Sequence, residues 1–277
     1  MIRTIIFTLS TIMLGALATG AMAQEAERIP SNCRAQDEAV APERSERIWQ
    51  ASVGAPLAEN TVRIHFINNA MFAIEAGGAS VVTDYNGYLG DTLWTPDAIT
   101  MNEAHTSHST NNTRDIAYVF GGWGPIGQGI EQDMDLGGMR IRNVLIDIPS
   151  EDDHEQEGNS IFIFEAGGLC IGHLGHLHHE PTEEQYAAIG RLDVIMVPVD
   201  GGYAVPREVM VPLVQRFRSS IIIPMHWFSR YGLDAFLAEM KEDFAVKETG
   251  KPELIVALRR LPRRPTIMVL EPQFLSD

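Results

Sequence analysis

The chain has 277 residues, 45% of them hydrophobic and 21% charged, with a formal net charge of −16. That length can bury a sizeable core in a single domain. So acidic a surface repels polyphosphate, which excludes nucleic acid as an expected partner.

The N-terminus reads as a secretory signal peptide over residues 1–23. Arg3 supplies the positive start, residues 4–20 form a short apolar stretch, and Ala21-Met22-Ala23 is a small-x-small cleavage signature. No later stretch reaches the ~18–20 apolar residues that a membrane span requires. The expected location is therefore periplasmic or secreted, with no membrane span after signal cleavage. Loss of Arg3 with the leader makes the remainder one unit more negative. In an oxidising compartment the two cysteines, Cys33 and Cys170, are able to pair, but with Cys33 in the extension and Cys170 in a strand the sequence does not bring their Cα atoms within disulfide range.

Residues 24–60 read as an N-terminal extension: polar and aperiodic over 24–42, with a short helix at 43–53. From Thr61 onward the texture changes to short runs rich in Ile, Val and Phe, bounded by Gly, Asn, Asp or Pro. These predict strands over 61–67, 71–76, 79–84, 97–101, 116–120, 139–148, 160–166, 169–172, 193–199, 219–225 and 265–270. Two Glu-Ala-Gly-Gly segments, 75–78 and 165–168, predict tight hairpin turns. Helices are expected over 182–189 with Thr182 as N-cap, over 206–217 with Pro212 kinking or shortening it, and over 231–246. Strand pairs followed by strand–helix alternation indicate a layered α/β or α+β domain covering residues 61–277.

The nine histidines are the main functional signal. His105 and His108 follow the run 97–101. His173, His176, His178 and His179 follow the strand ending at Gly172. His226 ends the run IIIPMH, and His154 lies in an acidic loop. His65 stands alone and reads as structural. Neutral imidazole is the commonest protein ligand for zinc and suits iron and manganese, and such ligands are usually recruited from the ends of several strands. Convergence of those strand ends would gather six or more ligand-type side chains. An exposed set of scattered histidines is the alternative, and His178 and His179 cannot share a face if both lie on a strand.

The ordered motifs resemble the metallo-β-lactamase superfamily, and within it the ascorbate-6-phosphate lactonase-like hydrolases. They are Asn68-Asn69-Ala70, Thr83-Asp84, Glu103-x-His105-x-Ser107-His108, His154 ahead of Gly158-Asn159, His173-Leu174-Gly175-His176 and Pro224-Met225-His226. The resemblance implies a four-layer αββα sandwich with the site along one edge of its two sheets. It also implies two metal sites, one of Glu103, His105 and His154 and another of His108, His176 and His226, with Ser107 a weak candidate. The sequence departs from the family pattern where Glu103 replaces a His, Ser107 an Asp, and His176 the Asp that normally bridges two metals.

Expected cofactors are one or two divalent transition-metal ions: zinc, with manganese or iron as alternatives. The expected activity is hydrolysis of an ester, lactone, amide or phosphoester bond of a small-molecule substrate by metal-activated water. His176 serves at the catalytic centre, and His178 or His179 shuttles protons or contacts substrate, with Glu180 orienting one of them. Two other readings stand beside it: non-haem iron redox chemistry on the same fold, and a non-catalytic metal-binding envelope protein. Asp84 is a candidate partner of a ligand, Asn159 a candidate anchor of the His154 loop, and Trp227 and Phe228 candidate pocket walls.

Overall fold

The structure, a computed structural model, describes residues 31–33, 53–113, 115–125, 128–149 and 154–277, with side chains from residue 157 in the last stretch. The expected signal peptide, and the helix at 43–53 apart from Val53, lie outside the described residues.

In chain order the strands are β1 (Val62–Asn68), β2 (Met71–Ala76), β3 (Ala79–Val82), β4 (Gly90–Asp91), β5 (Ala98–Met101), β6 (Tyr118–Gly121), β7 (Asp133–Asp135), β8 (Arg140–Pro149), β9 (His154–Ala166) and β10 (Leu169–His173). Then α1 (Glu183–Ile189), β11 (Val194–Pro198), α2 (Arg207–Phe217), β12 (Ile221–Met225), α3 (Arg230–Met240), β13 (Ala245–Glu248), β14 (Glu253–Val256), β15 (Thr266–Val269) and β16 (Leu275–Ser276) complete the chain. One sheet runs β14-β1-β2-β3-β5-β6, the other β13-β15-β12-β11-β10-β9-β8-β7, and β16 pairs with β4.

The two sheets pack face to face. Phe66, Phe72, Ile74 and Val81 of the first meet Phe162, Phe164, Met196, Ile223 and Met225 of the second. The opposite face of the second sheet, through Ile163, Ile195, Val197 and Ile222, is covered by Tyr186 and Ile189 of α1, Leu213 and Phe217 of α2, and Phe236 and Met240 of α3. With both faces covered, every residue of β11 and β12 is buried, which explains their unbroken apolar runs. The outer face of the first sheet is covered by Tyr85, Leu89, Trp94 and Leu275 from loops and β16. Each fully buried Phe or Ile contributes ~1.5–3 kcal/mol of transfer free energy.

Both Gly-Gly turns form as expected. Gly77 and Gly78 have φ of 57° and 84°, and Gly167 and Gly168 have 57° and 76°. Two successive positive φ angles make the turn whose twist suits a hairpin. Thr182 caps α1 in a capping box with Gln185. Pro212 does not end α2, which runs through it to Phe217. The third helix stops at Met240, short of the expected 246, and its last expected residues form β13 instead. The sequence reading also omits β4, β7, β14 and β16. Four of these strands are sheet edges or two-residue pairs with charged members, so they lack the apolar runs that mark inner strands. No helix among the described residues is long and apolar enough to cross a membrane.

Cys33 and Cys170 are joined in a disulfide, their Cα atoms 6.0 Å apart. Beside it the Asn32 amide donates to the carbonyls of Ala187 (2.6 Å) and Ala188 (3.0 Å), near the end of α1. Residues 32 and 33 are thus fixed to the helical face of the second sheet.

Candidate metal centre

In each sheet, three or four successive strands run parallel: β3, β5 and β6 in the first, and β10, β11, β12 and β15 in the second. Their carboxyl ends open onto one edge of the sandwich. Asp84 follows β3, Glu103 and His108 follow β5, His176 and His178 follow β10, Asp200 follows β11 and His226 follows β12. Loops leaving rigid parallel strands are where open α/β sheets place ligand groups.

Three imidazoles meet there. Ring centroids are 4.9 Å apart for His108 and His176, 4.8 Å for His176 and His226, and 5.3 Å for His108 and His226. One donor atom from each lies within 4.8 Å of the others. Glu103, His176 and His178 form a second such group that shares His176.

Carboxylates back these imidazoles. Asp84 hydrogen-bonds His108 Nδ1. Asp200 Oδ2 lies 2.6 Å from His226 Nδ1, and Asp200 Oδ1 also accepts backbone N–H groups from Gly202, Tyr203 and Ala204. Glu103 Oε1 lies 3.5 Å from His176 Nδ1 and its Oε2 lies 3.1 Å from His178 Nε2. A carboxylate on Nδ1 fixes ring orientation and leaves Nε2 with its lone pair, as in metal-ligating histidines.

Backbone strain helps aim these groups. His226 and Asp84 have φ of 55° and 50°, a left-handed conformation that non-glycine residues hold only where their surroundings enforce it. The His226 N–H donates to the Asn69 carbonyl at 2.8 Å, tying β12 to the first sheet. Gly175, with φ +60°, turns the chain from His173 to His176, and a Cβ there would strike the Asn102 amide.

Electrostatics follow from burial and these pairs. Burial works to raise the Glu103 carboxyl, but His176 and His178 outweigh it and hold it down at about 2. Burial likewise opposes ionisation of Asp200, yet His226 and three backbone N–H groups pull its pKa well below the ordinary range. Burial lowers His176, keeping it neutral at pH 7. At His108 burial is overcome by Asp84, raising the imidazole.

The donor set fits a divalent transition metal. His176 is mostly buried, its Nε2 has no hydrogen-bond partner, and its Nδ1 has only the distant Glu103 contact. Such a group is costly to leave unsatisfied, and a bound ion would satisfy it. Three histidines with room for another ligand are a catalytic zinc pattern.

The expected residues divide as follows. His108, His176 and His226 are brought together, and Glu103 lies beside them. His105 is in neither donor group: it is exposed, its ring centroid 5.9 Å from that of His108 and its Nδ1 2.7 Å from Ser107 Oγ, with the His108 N–H donating to its carbonyl (2.8 Å). Ser107 is thereby engaged outside both groups. His154 is not in a loop but opens β9, its backbone paired with Pro149. Asn159, further along β9, is the residue whose backbone bridges Glu103. Among the described side chains Glu103 is grouped with His176 and His178, and His105 is in neither donor group.

His178 takes the place beside Glu103. His179 is half-buried and belongs to neither donor group. Glu180 is exposed and accepts from the Tyr186 hydroxyl at 3.3 Å rather than orienting a histidine. Asn159 holds the His176 loop, donating to the His176 carbonyl at 3.0 Å. His173, fully buried, uses both nitrogens on backbone: Nε2 lies 2.7 Å from the Ala70 carbonyl, and Nδ1 accepts from Gly175 at 3.2 Å. His65 is buried against the Gln273 carbonyl at 2.9 Å. Asp200 was not among the expected residues, though its place after the run 193–199 obeys the same strand-end rule that marks the histidines.

Residues 63–226 match the family described as the Beta-lactamase superfamily domain. The chain belongs to that superfamily and has the metallo-β-lactamase fold. Among solved structures it is similar to a proposed Zn-dependent hydrolase of the metallo-beta-lactamase superfamily from Thermotoga maritima. That match has TM-score 0.55 and 23% identity, covering 76% of this chain and 100% of that one. It is also similar to a proposed metal-dependent hydrolase from Parabacteroides distasonis (TM-score 0.52, 14% identity, 65% and 89% covered). A third is the metallo-beta-lactamase fold protein YhfI from Bacillus subtilis (TM-score 0.50, 9% identity, 77% and 98% covered). No curated protein matches the sequence. None of these matches singles out the ascorbate-6-phosphate lactonase branch.

Proposed function

We propose that the protein is an exported metal-dependent hydrolase acting on an ester, lactone, amide or phosphoester bond, with His108, His176 and His226 as the metal ligands. One observation carries the reading: a buried imidazole, His176, without a hydrogen-bond partner at Nε2, stands between two imidazoles whose Nδ1 atoms are held by Asp84 and Asp200. Zinc fits three neutral nitrogens, and manganese or iron are alternatives. A bound divalent ion would supply Lewis acidity and make water a usable nucleophile near neutral pH.

The protein's own groups supply orientation and charge. Asp84 and Asp200 fix the tautomers of His108 and His226. Glu103, held ionised, balances positive charge in the centre and accepts from His178 Nε2, which is 3.1 Å away. His178 is half-buried, so part of its ring reaches solvent. Export is supported by the signal-like residues 1–23 and by the Cys33–Cys170 disulfide, a bond that persists in oxidising compartments.

A panel of small esters, lactones and phosphoesters tests the activity. Turnover that is abolished by a chelator and restored by zinc or manganese is the expected outcome. Fully metal-loaded, folded protein that turns over no member of the panel contradicts the hydrolase reading.

A further inference from the structure

The side of the centre beyond His226 is aromatic. The Phe228 ring stands edge-on to His226 with centroids 4.9 Å apart, and Tyr203 stands edge-on to Phe228 at 5.6 Å. Both rings are largely in water, Phe228 67% and Tyr203 71% exposed. A row therefore runs from the three-histidine cluster through Phe228 to Tyr203 and out to solvent. Adjacent large aromatics left exposed beside a reactive centre are an unused contact surface, and aromatic pairs favour this edge-to-face geometry with an added ring.

The row is held in place by the centre itself. Asp200 accepts the Tyr203 N–H at 2.6 Å through one oxygen and holds His226 through the other. One carboxylate thus positions both a candidate ligand and the outer ring. The charge surroundings narrow the choice further. Asp84, Glu103 and Asp200 gather carboxylates at the centre. The cations on the same segments as the two rings are already paired, Arg207 with Glu239 at 2.6 Å and Arg230 with Glu248 at 2.8 Å.

From this we infer that Tyr203 and Phe228 form a specificity lip for substrates bearing an uncharged aromatic or flat apolar group beside the scissile bond, and that the centre disfavours phosphorylated or other anionic substrates. The inference rests on the reading of His108, His176 and His226 as a metal centre. It narrows the bond classes proposed above to those of neutral, apolar compounds.

The test uses the full chain loaded with zinc and three ligands sharing one chelating head: acetohydroxamate, benzohydroxamate and phosphonoacetohydroxamate. Affinities are read by calorimetry, and metal content is read in parallel. Benzohydroxamate is expected to bind about two- to tenfold tighter than acetohydroxamate, the scale of an added aromatic contact. In Tyr203→Ala and Phe228→Leu that ratio falls toward one while metal content is unchanged. Phosphonoacetohydroxamate binds more weakly than acetohydroxamate. A wild-type ratio near one, a ratio that both variants leave intact, or tighter binding of the phosphonate overturns the lip. Failure of the chain to take up zinc overturns the metal-centre reading and the lip with it. Zinc uptake with an unchanged ratio overturns the lip alone.

Discussion

Two groups of buried ionisable side chains sit on this sandwich, and they solve burial in opposite ways. On β1, β2 and β14, Arg63 (2% exposed) pairs with Glu75 at 2.9 Å and Glu253 at 3.3 Å, and also donates to the Ala55 carbonyl. Glu75 in turn accepts the Gly54 N–H, and nearby His65 spends Nε2 on a backbone carbonyl. Arg63 faces a carboxylate on either side, with Arg63 Nε and Glu253 Oε2 in charge contact but without a hydrogen bond, and the group ties residues 54 and 55 to β1 and β2. At the strand ends, carboxylates occupy only one side of each imidazole. The centre is satisfied halfway, and the remaining half faces the place where an ion would sit. Charges paired among themselves thus mark the structural cluster, and donor atoms that converge on one point mark the functional one.

The largest effect should come from opening the closed cluster. Arg63→Ala leaves two buried carboxylates without their cation and is expected to cost about 3–5 kcal/mol in urea unfolding. Metal content of the protein that remains folded should not change. Loss below about 1 kcal/mol would show that the cluster is not holding the fold.

His173 and His176, three residues apart, carry the same contrast in one loop. His173→Leu leaves the buried Gly175 N–H without its acceptor and the Ala70 carbonyl with only the Thr83 hydroxyl, and should cost about 1–3 kcal/mol of stability while metal is retained. His176→Leu should lose metal, with the metal-free fold as stable as wild type or more so. The reverse assignment of the two effects would reverse their roles.

Asp84→Asn should weaken zinc affinity about 10–100-fold in a chelator competition, because His108 loses the carboxylate that fixes its tautomer. An unchanged affinity would mean that Asp84 serves packing alone. The smallest effect is in pH dependence. Burial lowers the His65 pKa below its ordinary value, with the Gln273 carbonyl opposing. The unfolded chain therefore binds the extra proton first, so stability is lost as pH falls below about 6.5. His65→Gln should flatten the decline in unfolding midpoint between pH 7 and 5 relative to wild type, and identical slopes would contradict the assignment.

Much of the inner fold was legible because β11, β12 and their neighbours are covered on both faces and must be apolar throughout. The Gly-Gly turns were legible because their backbone angles demand glycine. Edge strands such as β13 and β14 were not, since a solvent-facing edge carries Lys and Glu in place of an apolar run. At the centre, the strand-end position of His108, His176 and His226 could be read directly. Which of His105 and His108 turns inward is decided by one turn hydrogen bond, and the pairing of Glu103 with His178 spans 75 positions in sequence. Neither leaves a local pattern. Asp200 carries an ambiguous pattern, because an Asp before Gly201-Gly202 also reads as turn chemistry.

Metal content by mass spectrometry tests the central claim most directly, on tag-free wild type beside a His108→Ala/His226→Ala double variant shown to be folded by circular dichroism. Wild type is expected to hold a near-stoichiometric divalent transition metal and the variant to lose it. Wild type that takes up no metal, or a variant that keeps it, would contradict the claim that these three histidines form the metal centre.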